Sequence, residues 1–187
     1  PGIPVAESLR KNHPDIRPIF LCTMREIDRV ILEPAGFEFI CQPIVPRVEA
    51  VGGLLKFWKG WRETRDLVRQ KIRAHRPAAV LGLGGYAAGV AVKMAADRGI
   101  ATALLNPDVI PGKANQYLLK LAEKICCQFE QTAQYLPAAQ HAKIAVTGCP
   151  IRPDILALPP AQQAAARLDL DHRLSTLIIT GASLGAK

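Results

Sequence analysis

A glycine-rich loop follows an apolar run in the middle of the chain, at Leu81-Gly-Leu-Gly-Gly-Tyr-Ala-Ala-Gly89. Gly84 and Gly85 can take positive φ angles that let backbone N–H groups approach an anion, and a helix beginning near Tyr86 would add a favourable dipole. A tight strand-to-helix turn that needs small residues is an equally good interpretation, because short glycine motifs often occur by chance. The loop alone therefore leaves phosphate binding and a structural turn open.

Two further loops of similar character follow later apolar runs. One extends from Asn106 to Asn115 and the other from Thr147 to Asp154. In open parallel sheets, ligands bind beyond the carboxyl ends of the strands, which is where all three loops would lie. Together the three loops specify a binding site far better than the glycine loop alone.

These loops need a scaffold, and helical and strand patterns do alternate along the chain. Predicted strands cover 16–22, 38–41, 78–83, 100–105, 124–128 and 143–147. Predicted helices cover 2–12, 25–34, 53–75, 86–98, 114–122 and 130–136. Strands separated by helix-length segments indicate right-handed βαβ units. The sequence therefore predicts an α/β fold with a Rossmann-like, doubly wound, open parallel sheet and helices on both faces.

A change of composition at Arg152-Pro153 predicts a linker between two domains. Residues 1–151 would form the first domain, and residues 152–187 the linker and the start of the second. Beyond the linker, Pro159-Pro160 opens a predicted alanine-rich helix, and a predicted strand covers 174–179. Both ends of the chain interrupt strand-loop-helix units, so we expect a fragment of a longer protein.

The predicted helix 53–75 concentrates the positive charge of the chain. Residues 51–77 hold eight basic against two acidic residues, a balance of +6 in a chain whose net charge is +8. Apolar and basic side chains interleave at its start, as in segments that bind anionic lipid surfaces. The predicted membrane patch consists of Leu54, Leu55, Phe57, Trp58, Trp61, Lys56, Lys59, Arg62 and Arg65. An ordinary helix with a solvated charged face is the alternative, and no recognition motif favours nucleic acid as a partner.

The composition is that of a cytoplasmic globular protein, with 49% hydrophobic and 21% charged residues. The longest apolar stretches have the length of strands, so no transmembrane helix is expected. The five cysteines include no Cys-x-x-Cys pair. Buried reduced thiols are therefore expected, and a metal site is not.

The order and spacing of the loops resemble the MurG family of bacterial glycosyltransferases, in glycosyltransferase family 28. That family has a Gly-Gly-Tyr loop, then His-Glu-Gln-Asn-x-x-Pro-Gly-x-Ala-Asn, then Gly-Asn-Pro-Val-Arg, then Gly-Gly-Ser-Gln-Gly-Ala. At matching places this chain has Gly84-Gly-Tyr86, Pro111-Gly-x-Ala-Asn115, Gly148-Cys-Pro-Ile-Arg152 and Gly181-Ala-Ser-Leu-Gly-Ala186. The resemblance extends over the whole chain.

The resemblance implies a two-domain GT-B glycosyltransferase whose first domain lacks its first strand here. The implied reaction is an inverting transfer of N-acetylglucosamine from UDP-N-acetylglucosamine to undecaprenyl-diphosphate-linked muramoyl-pentapeptide, without cofactor or metal. The implied location is peripheral, on the cytoplasmic face of the bacterial membrane. A related transferase acting on diacylglycerol and a non-catalytic membrane-surface module are the alternatives.

The resemblance also implies roles for individual residues. The acceptor diphosphate would bind Gly84, Gly85 and Tyr86, and the donor would bind Asp108, Asn115, Arg152 and Ser183. A candidate catalytic histidine of the family would lie upstream of Pro1. Each residue has a structural alternative: Arg152 as an ion pair with Asp154, Ser183 as a turn residue, and Asn115 as a helix N-cap.

The chain departs from the family pattern at three positions that bear on the donor. The family's Glu and Asn in the second loop are Asn106 and Asp108 here, and a Gln of the last loop is Leu184. An acid that faces a nucleotide diphosphate would repel it unless the acid binds sugar hydroxyls instead. These departures leave donor specificity open.

Overall fold

The computed structural model describes residues 1–46, 53–171 and 173–177. Its helices are α1 (Gly2–Asn12), α2 (Glu26–Leu32), α3 (Gly53–His75), α4 (Gly85–Ala96), α5 (Lys113–Leu119), α6 (Ala138–His141), α7 (Pro153–Leu156) and α8 (Ala161–Arg167), with a 3₁₀ helix at Glu130–Tyr135. Its strands are β1 (Ile19–Cys22), β2 (Glu38–Cys41), β3 (Ala79–Gly82), β4 (Ala101–Asn106), β5 (Lys124–Cys127) and β6 (Ile144–Val146). The predicted α/β alternation is confirmed. In the predicted strand 174–179, residues 174–177 form no strand, and residues 178–179 lie outside the described part of the chain.

All strand pairs are parallel, but they form two sheets where one open sheet was predicted. β1 pairs with β2, and the order of the larger sheet is β3-β4-β5-β6. Within the described residues, β1 and β3 each have one edge without a partner strand. The two sheets share a core nonetheless, because Leu21 of β1 and Val80 of β3 pack against one cluster that includes Val90 of α4. The predicted parallel α/β fold is confirmed, with the described strands arranged in two sheets.

The larger sheet is packed against helices on one face. There, Leu104 and Ile125 are fully buried against Val92 of α4 and Leu118 of α5. Side chains of successive strand residues point to opposite faces. The neighbouring positions Leu81, Leu105 and Cys126 accordingly line an apolar cavity of about 270 Å³ on the other face, together with Val5 of α1. Leu81 is 38% exposed on that face.

The start of α1 lies beside both unpaired edges. A Cβ atom on Gly2 would come within 2.6 Å of Leu83 Cδ1, just after β3, and 3.0 Å of Phe20 Cε1 in β1. A strand joined to α1 by a short loop would therefore end near both β1 and β3.

α3 approaches the segment after β2 unusually closely. Gly60 of α3 is buried, and a Cβ atom there would lie 2.7 Å from the Pro43 carbonyl oxygen. Backbone cannot move aside as a flexible side chain can. The glycine thus permits a helix-to-backbone contact that no larger residue allows.

Gly60→Ala is expected to destabilise the fold by about 1–3 kcal/mol through overpacking, although alanine is favoured over glycine by about 1 kcal/mol in a free helix. The free energy of unfolding in urea measures the change. Gln70→Ala, at an exposed position of the same helix, is the matched control and should stay within about 0.5 kcal/mol of the original protein. Stabilisation by Gly60→Ala would show that the close contact does not form.

The cysteines are all free, and one pair faces across a sheet. Cys22 and Cys41 are register neighbours in β1 and β2, with Sγ atoms 3.6 Å apart. Burial, reinforced by the hydrogen bond with Cys41, raises the pKa of the Cys22 thiol to about 12. Cys22 therefore stays protonated at neutral pH and is a poor nucleophile.

The chain divides into two compact units, Pro1–Ile151 and Arg152–Lys187. Among the residues that the structure describes, no helix combines the length and apolar character needed to cross a bilayer. In the same residues, no three His, Cys, Asp or Glu side chains gather as a metal site would require.

Candidate functional site

The glycine loop joins β3 to α4 in a conformation that requires glycine. Gly84 and Gly85 have φ angles of 86° and 73°, and α4 begins at Gly85. The amides of Tyr86 and Ala87 lie in the first helical turn, where the helix itself supplies no carbonyl partner. The Tyr86 ring packs against the cluster around Val90. Tyr86 therefore contributes its backbone N–H, and not its ring, to the glycine loop. The loop has the form of an anion-binding helix N-terminus.

A buried pair of asparagines fastens this loop to β4. The Gly85 amide donates to Asn115 Oδ1 at 3.1 Å, and Asn115 Nδ2 donates to Asn106 Oδ1 at 2.9 Å. Asn106 ends β4 and is fully buried, and Asn115 is 5% exposed. The first and second loops therefore form one connected site at the carboxyl edge of the sheet.

The alternative interpretation of Asn115 as a helix N-cap is wrong. α5 begins at Lys113 with Gly112 as its N-cap residue, and Asn115 lies inside the helix. Its carboxamide instead reaches the glycine loop. The predicted contact of Asn115 with a donor stays a prediction.

Hydrogen bonds to the backbone carbonyl of Asp108 fix the second loop. The Asp108 carbonyl accepts hydrogen bonds from Asn106 Nδ2 and from Thr132 Oγ1, the latter at 3.3 Å. Asp108 itself is exposed, so its carboxylate is accessible at the carboxyl edge of the sheet. Its predicted contact with a donor stays a prediction.

The third loop follows β6 at the same edge. Gly148 has a φ angle of 71°, and Thr147, Cys149 and Pro150 line the apolar cavity next to Leu105. Arg152 begins the second unit, where its carbonyl accepts from the Ile155 amide. The side chain of Asp154, its alternative partner, and the predicted donor residue Ser183 lie outside the described part of the chain, as does Leu184.

The start of α3 presents two different faces. Leu54, Leu55 and Trp58 are exposed, with Leu55 exposed by 77% and Trp58 by 57%. Trp61 was predicted in the membrane patch, but its ring packs against the cluster of α3 and α4 and lies 3.4 Å from the Cβ position of Gly89. Trp61 therefore anchors α3 to α4. Phe57 is half-buried, and its ring contacts both the exposed Trp58 and the packed Trp61.

The basic residues of the patch surround the exposed face. Lys59 lies 3.9 Å from Glu63, and Arg65 lies 3.9 Å from Asp66. Such exposed pairs contribute little and leave the cations accessible. Lys56 and Arg62 are exposed as well. The exposed part of the patch thus combines three apolar side chains with four cations.

Sequence reasoning missed Gln42, whose side chain stabilises the start of the helix that carries the glycine loop. Its side chain is fully buried, and Nε2 donates to the Ala87 carbonyl in the first turn of α4 at 2.8 Å. This bond ties the end of β2 to the helix that carries the glycine loop. A lone glutamine after a strand gives no sequence signal of such a contact.

A family model and curated relatives identify the family of the chain. The family model of the glycosyltransferase family 28 N-terminal domain matches residues 1–127. Relatives named UDP-N-acetylglucosamine--N-acetylmuramyl-(pentapeptide) pyrophosphoryl-undecaprenol N-acetylglucosamine transferase match all of the chain. The relative from Bacteroides fragilis is 29% identical to this chain, which covers 49% of the relative's length. The relative from Parabacteroides distasonis is 30% identical, and the chain covers 50% of its length. The chain thus spans about half the length of these curated relatives.

A solved structure shows the same fold. The crystal structure of Acinetobacter baumannii MurG superposes on this chain with a TM-score of 0.64 at 20% sequence identity. The match covers 81% of this chain and 41% of the MurG chain. The shared part therefore includes most of the chain, and the likeness concerns the fold.

Proposed function

The chain belongs to glycosyltransferase family 28, and from this premise we propose that it is the acceptor-side part of an N-acetylglucosaminyltransferase of cell-wall synthesis. The donor is UDP-N-acetylglucosamine, and the acceptor is undecaprenyl-diphosphate-linked N-acetylmuramoyl-pentapeptide. The main support is the glycine loop, which two asparagines hold at the start of α4 in a conformation suited to a diphosphate.

In the proposed reaction, an acceptor sugar hydroxyl attacks the anomeric carbon of the donor from the face opposite UDP. The new glycosidic bond forms as the bond to the UDP oxygen breaks, which inverts the anomeric centre. The hydroxyl proton passes to a base, for which a histidine upstream of Pro1 is the candidate. Backbone amides and helix dipoles stabilise the departing diphosphate.

The acceptor diphosphate lies at the N-terminus of α4. Amides of the first turn, including those of Tyr86 and Ala87, donate to its oxygens, and the helix dipole favours its charge. Gly85 leaves open space at the start of the helix, since a Cβ atom there would meet nothing within 4 Å.

The donor contacts are assigned residue by residue from the family motifs. Asp108, exposed on the second loop, accepts hydrogen bonds from sugar hydroxyls, a role that suits an acid beside a diphosphate better than a contact with the phosphates. Arg152 and Ser183 contact the donor from residues 152–187. These assignments are supported by the family motifs.

The exposed face of α3 brings the enzyme to its lipid-linked acceptor. Leu54, Leu55 and Trp58 insert at headgroup level, and the surrounding cations meet anionic lipids, each contributing about 1 kcal/mol. Docking is peripheral and on the cytoplasmic face of the membrane.

A first strand completes the acceptor domain. It lies between β1 and β3, parallel to both, and leads into α1. The unpaired edges of β1 and β3 and the position of Gly2 beside both support this placement, as does the right-handed crossover that α1 would then make.

The test is an assay of UDP release by the full-length protein that contains residues 1–187. UDP-N-acetylglucosamine is supplied with a short-chain lipid-linked muramoyl-pentapeptide, and diacylglycerol is the parallel acceptor. Activity with the muramoyl lipid alone is expected. Activity only with diacylglycerol would assign the protein to lipid glycosylation, and no activity with either, together with no nucleotide binding, would favour a membrane-surface module.

A further inference from the structure

We infer that Asn106 and Asn115 are positioning residues that set the conformation of the glycine loop and couple it to the second loop. The inference rests on the proposed function only for the identity of the ligand, because the contacts themselves are within the chain. It assigns Asn115 to the acceptor side, where the family pattern assigns it to the donor.

The glycine loop needs an external support. Two successive glycines at positive φ lose more conformational entropy on ordering than other residues would. The Asn115 carboxamide supplies the support, since its oxygen holds the Gly85 amide and lies 3.0 Å from the Cβ position of Gly84. The carboxamide therefore fills the place that a side chain at residue 84 would take.

The direction of each amide in the pair is fixed by its partners. Asn106 Nδ2 donates to the Asp108 carbonyl, which leaves Asn106 Oδ1 to accept from Asn115 Nδ2. Asn115 must then turn its oxygen towards Gly85. The amide at residue 106 both donates to a carbonyl and accepts from Asn115, which an ionised carboxylate in its place could not do because it has no donor.

Burial makes this order of donors and acceptors stringent. Asn106 is fully buried and Asn115 nearly so, and a reversed or broken bond would leave a buried polar atom without a partner. A shift of the second loop at Asp108 is thereby transmitted through both asparagines to Gly85. Ligand contacts on one loop consequently bias the other.

The pair also decides which amides meet the acceptor diphosphate. Because Asn115 occupies the Gly85 N–H, the phosphate oxygens are received by the following amides, beginning with Tyr86. Asn115 therefore sets the position of the diphosphate along the start of α4 without touching it.

Hydrogen exchange of the Gly85 amide, followed by NMR in the chain 1–187, tests the inference. Asn115→Ala is expected to accelerate exchange of Gly85 roughly fivefold, as loss of one hydrogen bond of about 1 kcal/mol implies, while exchange of Ile125 in β5 stays unchanged. Gln116→Ala is the matched control, since this neighbour on α5 is exposed and its side chain donates to the Pro111 carbonyl rather than to the glycine loop. Unchanged Gly85 exchange, or equal acceleration at Ile125, would overturn the inference.

A measurement on the unaltered chain does not depend on how a variant folds. A scalar coupling across the hydrogen bond from the Gly85 nitrogen to the Asn115 Cγ carbon is expected. Its absence together with an unprotected Gly85 amide would refute the positioning role.

In the full-length enzyme, Asn115→Ala should raise the KM for the lipid acceptor about tenfold and leave the KM for the nucleotide sugar unchanged. A change in the nucleotide-sugar KM alone would instead support a direct donor contact and count against the inference. If the unaltered enzyme lacks transferase activity, the proposed function fails, while the exchange of Gly85 still decides the role of Asn115.

Discussion

The double substitution Leu55→Glu and Trp58→Glu is expected to weaken binding to anionic vesicles by about 100-fold. Both side chains are more than half exposed at the start of α3, so their replacement should leave the fold intact. Burying one large apolar side chain contributes about 1.5–3 kcal/mol, and each new carboxylate also repels anionic lipid. Sedimentation with phosphatidylglycerol-containing vesicles, compared with neutral phosphatidylcholine vesicles, measures the loss.

The matched control carries the same change of charge elsewhere. Leu158 and Leu174 are exposed leucines of the second unit, and the pair Leu158→Glu and Leu174→Glu should keep most of the affinity. Binding by the unaltered chain should weaken as salt screens the cations around the patch. Equal binding by the α3 variant and the control would favour the solvated charged face as the correct interpretation of this helix.

Leu104→Ala is expected to lower the free energy of unfolding by about 3–5 kcal/mol, near the upper end for such substitutions. Leu104 is fully buried in β4, between two neighbouring strands, and packs with Val92 of α4. Gly82 already brings the sheet and α4 into close contact, so the surroundings cannot collapse into the cavity. Urea unfolding followed by circular dichroism measures the change.

Leu55→Ala removes the same atoms from an exposed position and is the matched control. It should change stability by less than about 0.5 kcal/mol. A comparable loss in the two variants would show that β4 is not the centre of the folded core.

The sequence predicted the elements well where local signals mark their ends. The bounds of α1, α3 and β2 agree with the prediction, because glycine at residue 36 and proline at residue 77 interrupt the neighbouring patterns. The parallel sheet was predicted too, but not the division of the described strands into two sheets. Periodicity specifies which residues form strands, but pairing depends on neighbours that are distant in the chain.

The sequence predicted the backbone loops of the candidate site but not the side-chain contacts that connect them. Consecutive glycines after a strand indicate the loop at Gly84, since few other residues tolerate its φ angle. The bond between Asn115 and Gly85 joins residues 30 positions apart, and nothing in the local pattern specifies it. Trp61 was misplaced for a similar reason, because aromatic composition does not reveal which face of a helix meets a neighbour.

The open edges of β1 and β3 have a consequence for the behaviour of the chain in solution. Each edge presents unsatisfied backbone donors and acceptors within the described residues, and such an edge is a template for intermolecular pairing. The net charge of +8 opposes self-association, but salt screens that repulsion. The chain 1–187 should consequently be monomeric in dilute, low-salt solution and should assemble by edge-to-edge strand pairing as ionic strength or concentration rises.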